Sequence, residues 1–388
     1  MSHSVIDSGK RSVTPYQAFA LVHSTMLGAG VLYLPRDVGV EAGKDAVWVV
    51  LLSALPILLF LYFISKLLRR FPGETLVEFA PKILGPSRHP NVGRWISFLL
   101  ILLPLGVFWI LGLAYMARMF GESVVTGVLL RTPIEAVILS ILFATAVAAG
   151  SKVGVLVRFN ELLLPLTFFP VIFVIFSTLQ RGDLIRVLPL FSADWKQIVS
   201  GMAIGMLAYP GFKITLIFGG YYQQPESSAK SHTAAVLTVT FIYWLLVINA
   251  MSVFGPHELV QILWPVLESM KEIQFQNFIL ERMEAGILII WVIAVYTTMA
   301  NLYAAFIEMT MQHFRLRERW RKWLVLACIP VIYYLALIPE DLPQSIRFSR
   351  FIGVTSLVLA GTIPPILLIL AMIRRKRRGR EHETAHSA

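Results

Sequence analysis

The chain has 388 residues, of which 57% are hydrophobic and only 15% are charged. Soluble domains carry about a quarter charged residues, so this composition excludes an ordinary soluble protein. A net charge of +11 would suit a nucleic-acid-binding protein, but the basic residues stand mostly at the ends of apolar runs, which is typical of membrane proteins. We therefore expect the chain to reside in a lipid bilayer and to bind no nucleic acid.

Apolar runs that are long enough to cross a bilayer, which takes about 20 residues, recur along the whole chain. We expect an all-α integral membrane fold with ten transmembrane helices in a single polytopic domain, residues 1–388. The first run is interrupted by Gly28-Ala29-Gly30 and more spans follow it, so it is not a cleavable signal peptide. The ten spans are predicted at residues 15–34, 45–67, 95–120, 133–150, 158–179, 198–219, 233–254, 285–311, 322–338 and 349–373.

The distribution of lysine and arginine predicts the orientation of the spans. With both termini inside, the cytoplasmic segments include the basic block at 315–322 and the basic tail at 374–388. Acidic residues such as Glu258 and Glu268 collect on the opposite face. We therefore expect cytoplasmic N and C termini.

Two stretches outside the spans have apolar residues at helical spacing. Residues 257–283, which include Pro265 and many charges, are expected to form a kinked helix on the outer surface. Residues 72–85 are expected to form a similar short helix on the cytoplasmic side. Either stretch could be a plain connector, and together they suggest covers over a vestibule.

Span 1 contains a glycine pair at its centre. Gly28 and Gly30 flank Ala29, and Thr25 lies one turn earlier. Each glycine weakens a helix interior by about 1 kcal/mol against alanine, so the helix can open here. The alternative is a close helix–helix packing face, which small residues also provide in membranes.

Span 6 favours the first interpretation, because Tyr209, Pro210 and Gly211 stand at its middle. Proline removes a backbone donor, and glycine tolerates the resulting distortion. Two interrupted helices five spans apart are typical of a 5+5 inverted-repeat transporter, with repeats at 15–179 and 198–373. The freed amides and carbonyls would attract a carboxylate and an ammonium, so an amino acid suits both.

Lys213 is the most unusual polar residue, because a charge at membrane depth costs at least a few kcal/mol and usually marks function. It could anchor a ligand carboxylate, replace a bound sodium ion or carry a proton, or it could snorkel to the cytoplasmic interface. Thr298 and Asn301 in span 8 could face spans 1 and 6, or only pack there. Glu161 at the start of span 5 is expected to pair with Arg158.

The sequence carries no phosphate loop, no zinc-binding histidine pair on a helix and no nucleophile elbow, so no enzyme, cofactor or metal site is predicted. The single cysteine, Cys328, lies in an apolar run and is interpreted as a small buried residue.

Several segments resemble the bacterial spore-germination permeases, the B subunits of nutrient germinant receptors in the amino acid–polyamine–organocation superfamily. The resemblance lies in the order of short motifs over nearly the whole chain. These motifs are TPYQAF at residues 14–19, TMLGAGVLYLP at 25–35, FPGETLVE at 71–78, KILG at 82–85 and IPP at 363–365.

This resemblance implies a LeuT-type fold with broken helices 1 and 6, and a role in sensing germinants such as amino acids in the spore inner membrane. It also implies a larger A subunit and a lipoprotein C subunit as partners. The ligand pocket would lie at Gly28, Ala29, Gly30, Tyr209, Pro210 and Gly211. Relatives often carry an acidic residue where this chain has Lys213, which leaves the ligand's charge open.

Two other functions use the same broken helices. The chain could be an amino-acid permease that is proton-coupled through Lys213 or Glu161. It could also be a channel, although the few charged residues in these spans disfavour a high-conductance ion pore.

Overall fold

The computed structural model describes residues 12–86, 89–127, 129–271 and 283–374, without the side chains of Ala29, Leu342 and residues 283–290. The described residues are almost entirely helical. The α-helices are α1 (Pro15–Gly30), α2 (Leu34–Ala42), α3 (Ala46–Leu52), α4 (Ala54–Arg70), α5 (Leu76–Leu84), α6 (Pro90–Ser97), α7 (Leu103–Gly127), α8 (Ile134–Ala149), α9 (Val153–Leu163), α10 (Phe169–Arg181), α11 (Trp195–Met206), α12 (Thr215–Phe218), α13 (Ser228–Leu259), α14 (Pro265–Lys271), α15 (Met283–His313), α16 (Arg321–Leu337) and α17 (Leu342–Ile373).

Seven helical stretches among the described residues are long and apolar enough to cross a membrane. They are Leu34–Arg70, Pro90–Gly127, Val153–Arg181, Pro225–Leu259, Trp291–His313, Glu318–Leu337 and Pro343–Ile373. The pair Trp195–Met206 and Pro210–Tyr221, bent by 51°, makes an eighth if it is one span, and Ile134–Ala149 is a shorter apolar helix. The protein is therefore a multi-pass membrane protein.

Helix starts are encoded by local capping residues. Thr14 and Gln17 form a capping box at α1, in which the Gln17 amide donates to the Thr14 hydroxyl at 3.2 Å and the Thr14 amide donates to the Gln17 side chain at 3.1 Å. Asp194 and Gln197 form the same arrangement at α11. These caps satisfy amides that the first helical turn leaves free, so both helices begin at defined residues.

The observed bounds agree closely with two predicted spans and extend another. Helices α8 and α16 lie within a residue of the predictions 133–150 and 322–338. Span 1 was predicted to end at residue 34, but the helix resumes at Leu34 and continues to Ala42. This stretch contains the charged Arg36, whose guanidinium donates to the carbonyl of Val260 at 3.1 Å and so fits against a neighbouring segment.

The two predicted surface helices have helical counterparts. Helix α5 lies inside residues 72–85, and α14 lies inside residues 257–283. Residues 272–282 of the second stretch, and residues 375–388 of the predicted basic tail, lie outside the described residues.

Helix α1 occupies the centre of the described structure. It packs against α9, α13, α15 and the 3-10 segment Pro210–Ile214. Leu21, Val22 and Met26 in its middle are fully buried. The interruption after Gly30 therefore lies inside the protein.

A polar cluster ties the C-terminal end of α15 to its neighbours; we call it the Glu308 network. Glu308 and Arg321 form an ion pair at 2.8 Å, although both side chains are buried. Tyr221 donates to Glu308 at 2.5 Å, Gln312 donates to it at 2.9 Å, and Arg321 also pairs with Glu318 at 2.9 Å. Both buried charges therefore have partners, as buried ion pairs require.

Candidate functional site

The interruptions in α1–α2 and in the bent pair meet inside the protein. Helix α1 ends at Gly30 and α2 starts at Leu34, while α11 ends at Met206 and a 3-10 segment begins at Pro210. A Cβ on Gly211 would overlap the backbone carbonyl of Thr25. The two interrupted segments therefore touch through their backbones, which only glycine permits at this position.

The other two glycines are also in close contact with neighbours. A Cβ on Gly28 would lie 2.5 Å from the Thr298 hydroxyl, and the Gly28 amide donates to that hydroxyl at 3.2 Å. A Cβ on Gly30 would lie 2.6 Å from the Cβ of Ala208 and 2.9 Å from the ring of Tyr243. We call the group Thr25, Gly28, Gly30, Ala208, Gly211, Tyr243, Thr298 and Asn301 the packed junction.

Tyr243 on α13 joins the two interruptions. Its hydroxyl lies 2.8 Å and 3.1 Å from the carbonyl oxygens of Met26 and Leu27, and 3.0 Å from that of Ala208. A tyrosine hydroxyl donates one hydrogen bond, so the three carbonyls share a single donor. Sequence reasoning missed this residue, because nothing in the local pattern of α13 distinguishes it.

A buried amide pair supports α1 from behind. Asn160 and Asn301 donate to each other's side-chain oxygens at 2.8 Å and 2.7 Å. Asn301 also donates to the Thr25 hydroxyl at 2.8 Å. The prediction that Thr298 and Asn301 face span 1 is thus confirmed, and the hydrogen bonds tie α1 to α9 and α15.

A cavity with an empty volume of about 780 Å³ lies beside the packed junction. Its walls come from α2, α7, α11, α15, α17 and the 3-10 segment that carries Pro210 and Lys213. We call it the charged cavity, because its lining includes Asp37, Lys213 and Arg350. This volume includes space that is open to the surroundings.

Lys213 is almost fully buried, with 4% of its surface exposed, in the wall of this cavity. Its ammonium donates to the Ser356 hydroxyl on α17. Among the described residues it makes no ion pair within 4.0 Å. Lys213 therefore does not snorkel to the interface, and it is a buried cation without a carboxylate partner in the described part of the chain.

The other polar groups of the charged cavity differ in how far they are satisfied. Asp37 pairs with Arg36 at 3.4 Å, and Arg350 pairs with Glu41 at 3.6 Å. The indole nitrogen of Trp109 is buried and has no hydrogen-bond partner among the residues that the structure describes. A buried donor without an acceptor costs free energy, so Trp109 is suited to donate to a bound molecule.

A smaller cavity of about 340 Å³ adjoins the charged cavity. Tyr33, Tyr115 and Met116 line both, and Gly28 lines the smaller one. The two cavities thus lie next to each other, separated by Tyr33 and Tyr115.

Eight of the nine residues predicted for the site lie in one of two places. Pro210 and Lys213 line the charged cavity. Thr25, Gly28, Gly30, Gly211 and Thr298 belong to the packed junction, and Tyr209 is buried beside it, donating to Thr240 at 3.0 Å. The side chain of Ala29 lies outside the described residues.

One residue near the site differs from its prediction, and three others were not predicted. Glu161 accepts a hydrogen bond from the Gln17 side chain at 2.8 Å, where pairing with Arg158 was expected. Asp37, Trp109 and Arg350 were not predicted at all, because they come from helices distant in sequence. The described residues contain no group of three or more His, Cys, Asp or Glu side chains that could hold a metal.

The fold is that of LeuT-type transporters. The structure of MhsT in complex with L-phenylalanine aligns with a TM-score of 0.59 and 14% identity, over 92% of this chain and 97% of that one. The structure of Mhp1, a nucleobase-cation-symport-1 family transporter in a closed conformation, aligns with a TM-score of 0.64 and 12% identity, over 93% of this chain and 78% of that one.

Sequence comparison identifies the family. A family model described as Spore germination protein matches residues 12–345, so the chain belongs to the spore germination permease family. Spore germination protein YndE of Bacillus subtilis (strain 168) is 26% identical over 373 residues, which cover 94% of this chain and 97% of that protein. Spore germination protein B2 of the same organism is 23% identical over 373 residues, 95% of this chain and 97% of that protein.

Proposed function

We propose that this protein is the B subunit of a nutrient germinant receptor and binds a small solute, such as an amino acid, in the charged cavity. Lys213 is the observation that carries the proposal. A buried cation is costly unless a partner compensates it, and Lys213 has only a hydroxyl within the described part of the chain. A ligand carboxylate in the charged cavity would supply the missing partner.

Both ends of an amino acid have candidate partners in this cavity. The ammonium of Lys213 and the free indole N–H of Trp109 would donate to the carboxylate. Asp37, next to the hydroxyls of Tyr33 and Tyr115, would accept from the ammonium group. The predicted residues of the packed junction would hold the two interruptions in place without contacting the solute. They include Thr25, Gly28, Gly211 and Thr298.

We propose ten spans in two repeats, residues 15–179 and 198–373, with spans 1 and 6 broken. Seven long apolar helices, the bent pair, the shorter apolar helix Ile134–Ala149 and α1 support that number. In this arrangement α1 and α2 form span 1, the α3–α4 part of Leu34–Arg70 forms span 2, and the bent pair forms span 6. The positive-inside bias supports cytoplasmic termini.

The family and its relatives, which are named spore germination proteins, support a place in the spore inner membrane with A and C receptor subunits as partners. In this role the protein has no catalytic step to perform. A bound solute would favour one of two arrangements of spans 1 and 6, and the partner subunits would respond to the shift.

Paired binding and uptake assays test the proposal. The purified protein in proteoliposomes is given a panel of radiolabelled amino acids, with and without a proton gradient, and equilibrium binding is measured on the same preparation. The proposal predicts binding without accumulation, and loss of that binding in Lys213→Met. Accumulation driven by the gradient would instead establish a proton-coupled amino-acid permease, and absence of binding to every amino acid would contradict the ligand class.

A further inference from the structure

A third cavity lies apart from the two already described, among α1, α10, α13 and α15. It has an empty volume of about 510 Å³. Leu27 and Val31 line it at the interruption of span 1, and Val174 and Leu246 line it from α10 and α13. We call it the apolar cavity. This volume includes space that is open to the surroundings.

The lining of the apolar cavity offers almost nothing to a polar ligand. Thr167 carries the only hydroxyl among the lining residues, and it already donates to the carbonyl of Leu164 at 2.6 Å. The ring of Trp291 stacks on Phe120 with 5.7 Å between centroids. A buried water needs two to four polar partners, so water is a poor occupant here.

The surroundings of the cavity connect it to the bilayer. Its lining residues Pro170, Val171 and Leu245 are half-buried. Beside them on α10, Phe169 and Ile172 are exposed by 48% and 55%. In a membrane-spanning chain such apolar side chains face lipid hydrocarbon. The apolar cavity therefore lies beside the lipid-facing side of α10.

We propose that the apolar cavity binds an alkyl chain of a membrane lipid that enters between α10 and α13. Leaving the bilayer gives an alkyl chain no hydrophobic gain, because lipid tails are as apolar as leucine. The gain comes from packing, since the lining of an empty cavity lacks contacts on one side. A lipid chain fills that space without losing any hydrogen bond.

The bound chain would touch the part of the fold that the solute also senses. Leu27 and Val31 flank the interruption at Gly28–Gly30. Trp291 lines both the apolar cavity and the smaller cavity beside Gly28. The lipid chain would thus pack against span 1 beside the smaller cavity.

Photolabelling tests the site without relying on the proposed solute. The full chain is reconstituted in vesicles doped with a phosphatidylcholine that carries a diazirine in one acyl chain, irradiated, digested and mapped by mass spectrometry. The proposal predicts adducts on buried lining residues such as Val174 and Leu246, in addition to adducts on exposed Phe169 and Ile172. Adducts confined to the exposed residues of the wild-type protein would overturn it.

Two tryptophan variants sharpen the test. Val171→Trp narrows the passage between α10 and α13 and should reduce the interior adducts at least several-fold while leaving the surface adducts unchanged. Ile175→Trp places the same tryptophan side chain at an exposed position outside the cavity lining and should leave both the interior and the surface adducts unchanged. Interior adducts that persist in a folded Val171→Trp protein would contradict the proposed route. The wild-type map decides the presence of the site even if that variant does not fold.

Discussion

Two buried cations, Arg321 and Lys213, have opposite surroundings. Arg321 is 6% exposed and pairs with both Glu308 and Glu318, and Glu308 has further donors in Tyr221 and Gln312. Lys213 is 4% exposed, and its ammonium donates to the Ser356 hydroxyl at the edge of a cavity, with no ion pair in the described part of the chain. A buried charge that is paired with carboxylates stabilises the fold, whereas a buried charge without such a partner, beside a cavity, is available to a ligand.

Removing the compensated cation should have the largest effect on stability. Arg321→Met leaves the Glu308 carboxylate buried without its cation, which should lower the free energy of unfolding by about 3–5 kcal/mol. Thermal unfolding of the purified protein in detergent measures this. Lys322→Met, at the exposed neighbouring position, is the control and should change little. An equally small effect of both variants would show that the ion pair of Arg321 with Glu308 does not stabilise the fold.

Removing the uncompensated cation should affect ligand binding instead. Lys213→Met should weaken amino-acid binding by roughly 10- to 100-fold, because a hydrogen bond to a charged group contributes about 1.5–3 kcal/mol. Its thermal midpoint should not fall, since no carboxylate is left unpaired.

Equilibrium binding and thermal unfolding on the same sample separate the two effects. Lys196→Met, an exposed lysine on α11, serves as the control and should keep both properties. Unchanged affinity in Lys213→Met, or a marked loss of stability, would assign Lys213 to the fold and not to the ligand.

The glycines of the packed junction provide a second contrast with the charged cavity. Gly211→Ala forces a methyl group against the Thr25 carbonyl and should cost about 1–3 kcal/mol of stability, as overpacking usually does. Gly112→Ala is the matched control on the cavity wall, where a Cβ meets nothing within 4 Å. The thermal midpoints of the two variants are compared, and equal midpoints would show that the junction is looser than the contacts indicate.

The smallest predicted effect concerns the tyrosine that joins the interruptions. Tyr243→Phe removes the one donor shared by the carbonyls of Met26, Leu27 and Ala208, and should lower stability by about 0.5–1.5 kcal/mol. Tyr334→Phe at an exposed position on α16 is the control. A difference of zero in their unfolding free energies would mean that the three carbonyls do not depend on this hydroxyl.

Some of this architecture could be predicted from the sequence, because it depends on local signals. Apolar runs predicted α8 and α16 closely, and α1 ends at Gly30 while a 3-10 segment begins at Pro210, the residues at which the broken helices were expected. Thr298 and Asn301, near the middle of span 8, could either face spans 1 and 6 or only pack there, and their hydrogen bonds to Gly28 and Thr25 show that they face span 1.

The cavity itself could not be predicted in the same way. Trp109, Arg350 and Ser356 belong to α7 and α17, and only the packing of those helices places them beside Lys213. Gly28, Gly30 and Gly211 suggested exposed backbone, but neighbouring side chains and carbonyls occupy the space beside them. The position at which a helix ends and the position of a ligand cavity are therefore separate properties, and only the first can be predicted from the local sequence.

Binding to Gly112→Leu tests most directly whether the charged cavity holds the solute. Gly112 faces open space in the cavity wall, so leucine should fill the cavity without straining the fold. We expect that an amino acid bound by the wild-type protein in proteoliposomes no longer binds to this variant, while the thermal midpoint of the variant equals that of the wild-type protein. Wild-type affinity in Gly112→Leu would contradict the account and place the solute elsewhere in the protein.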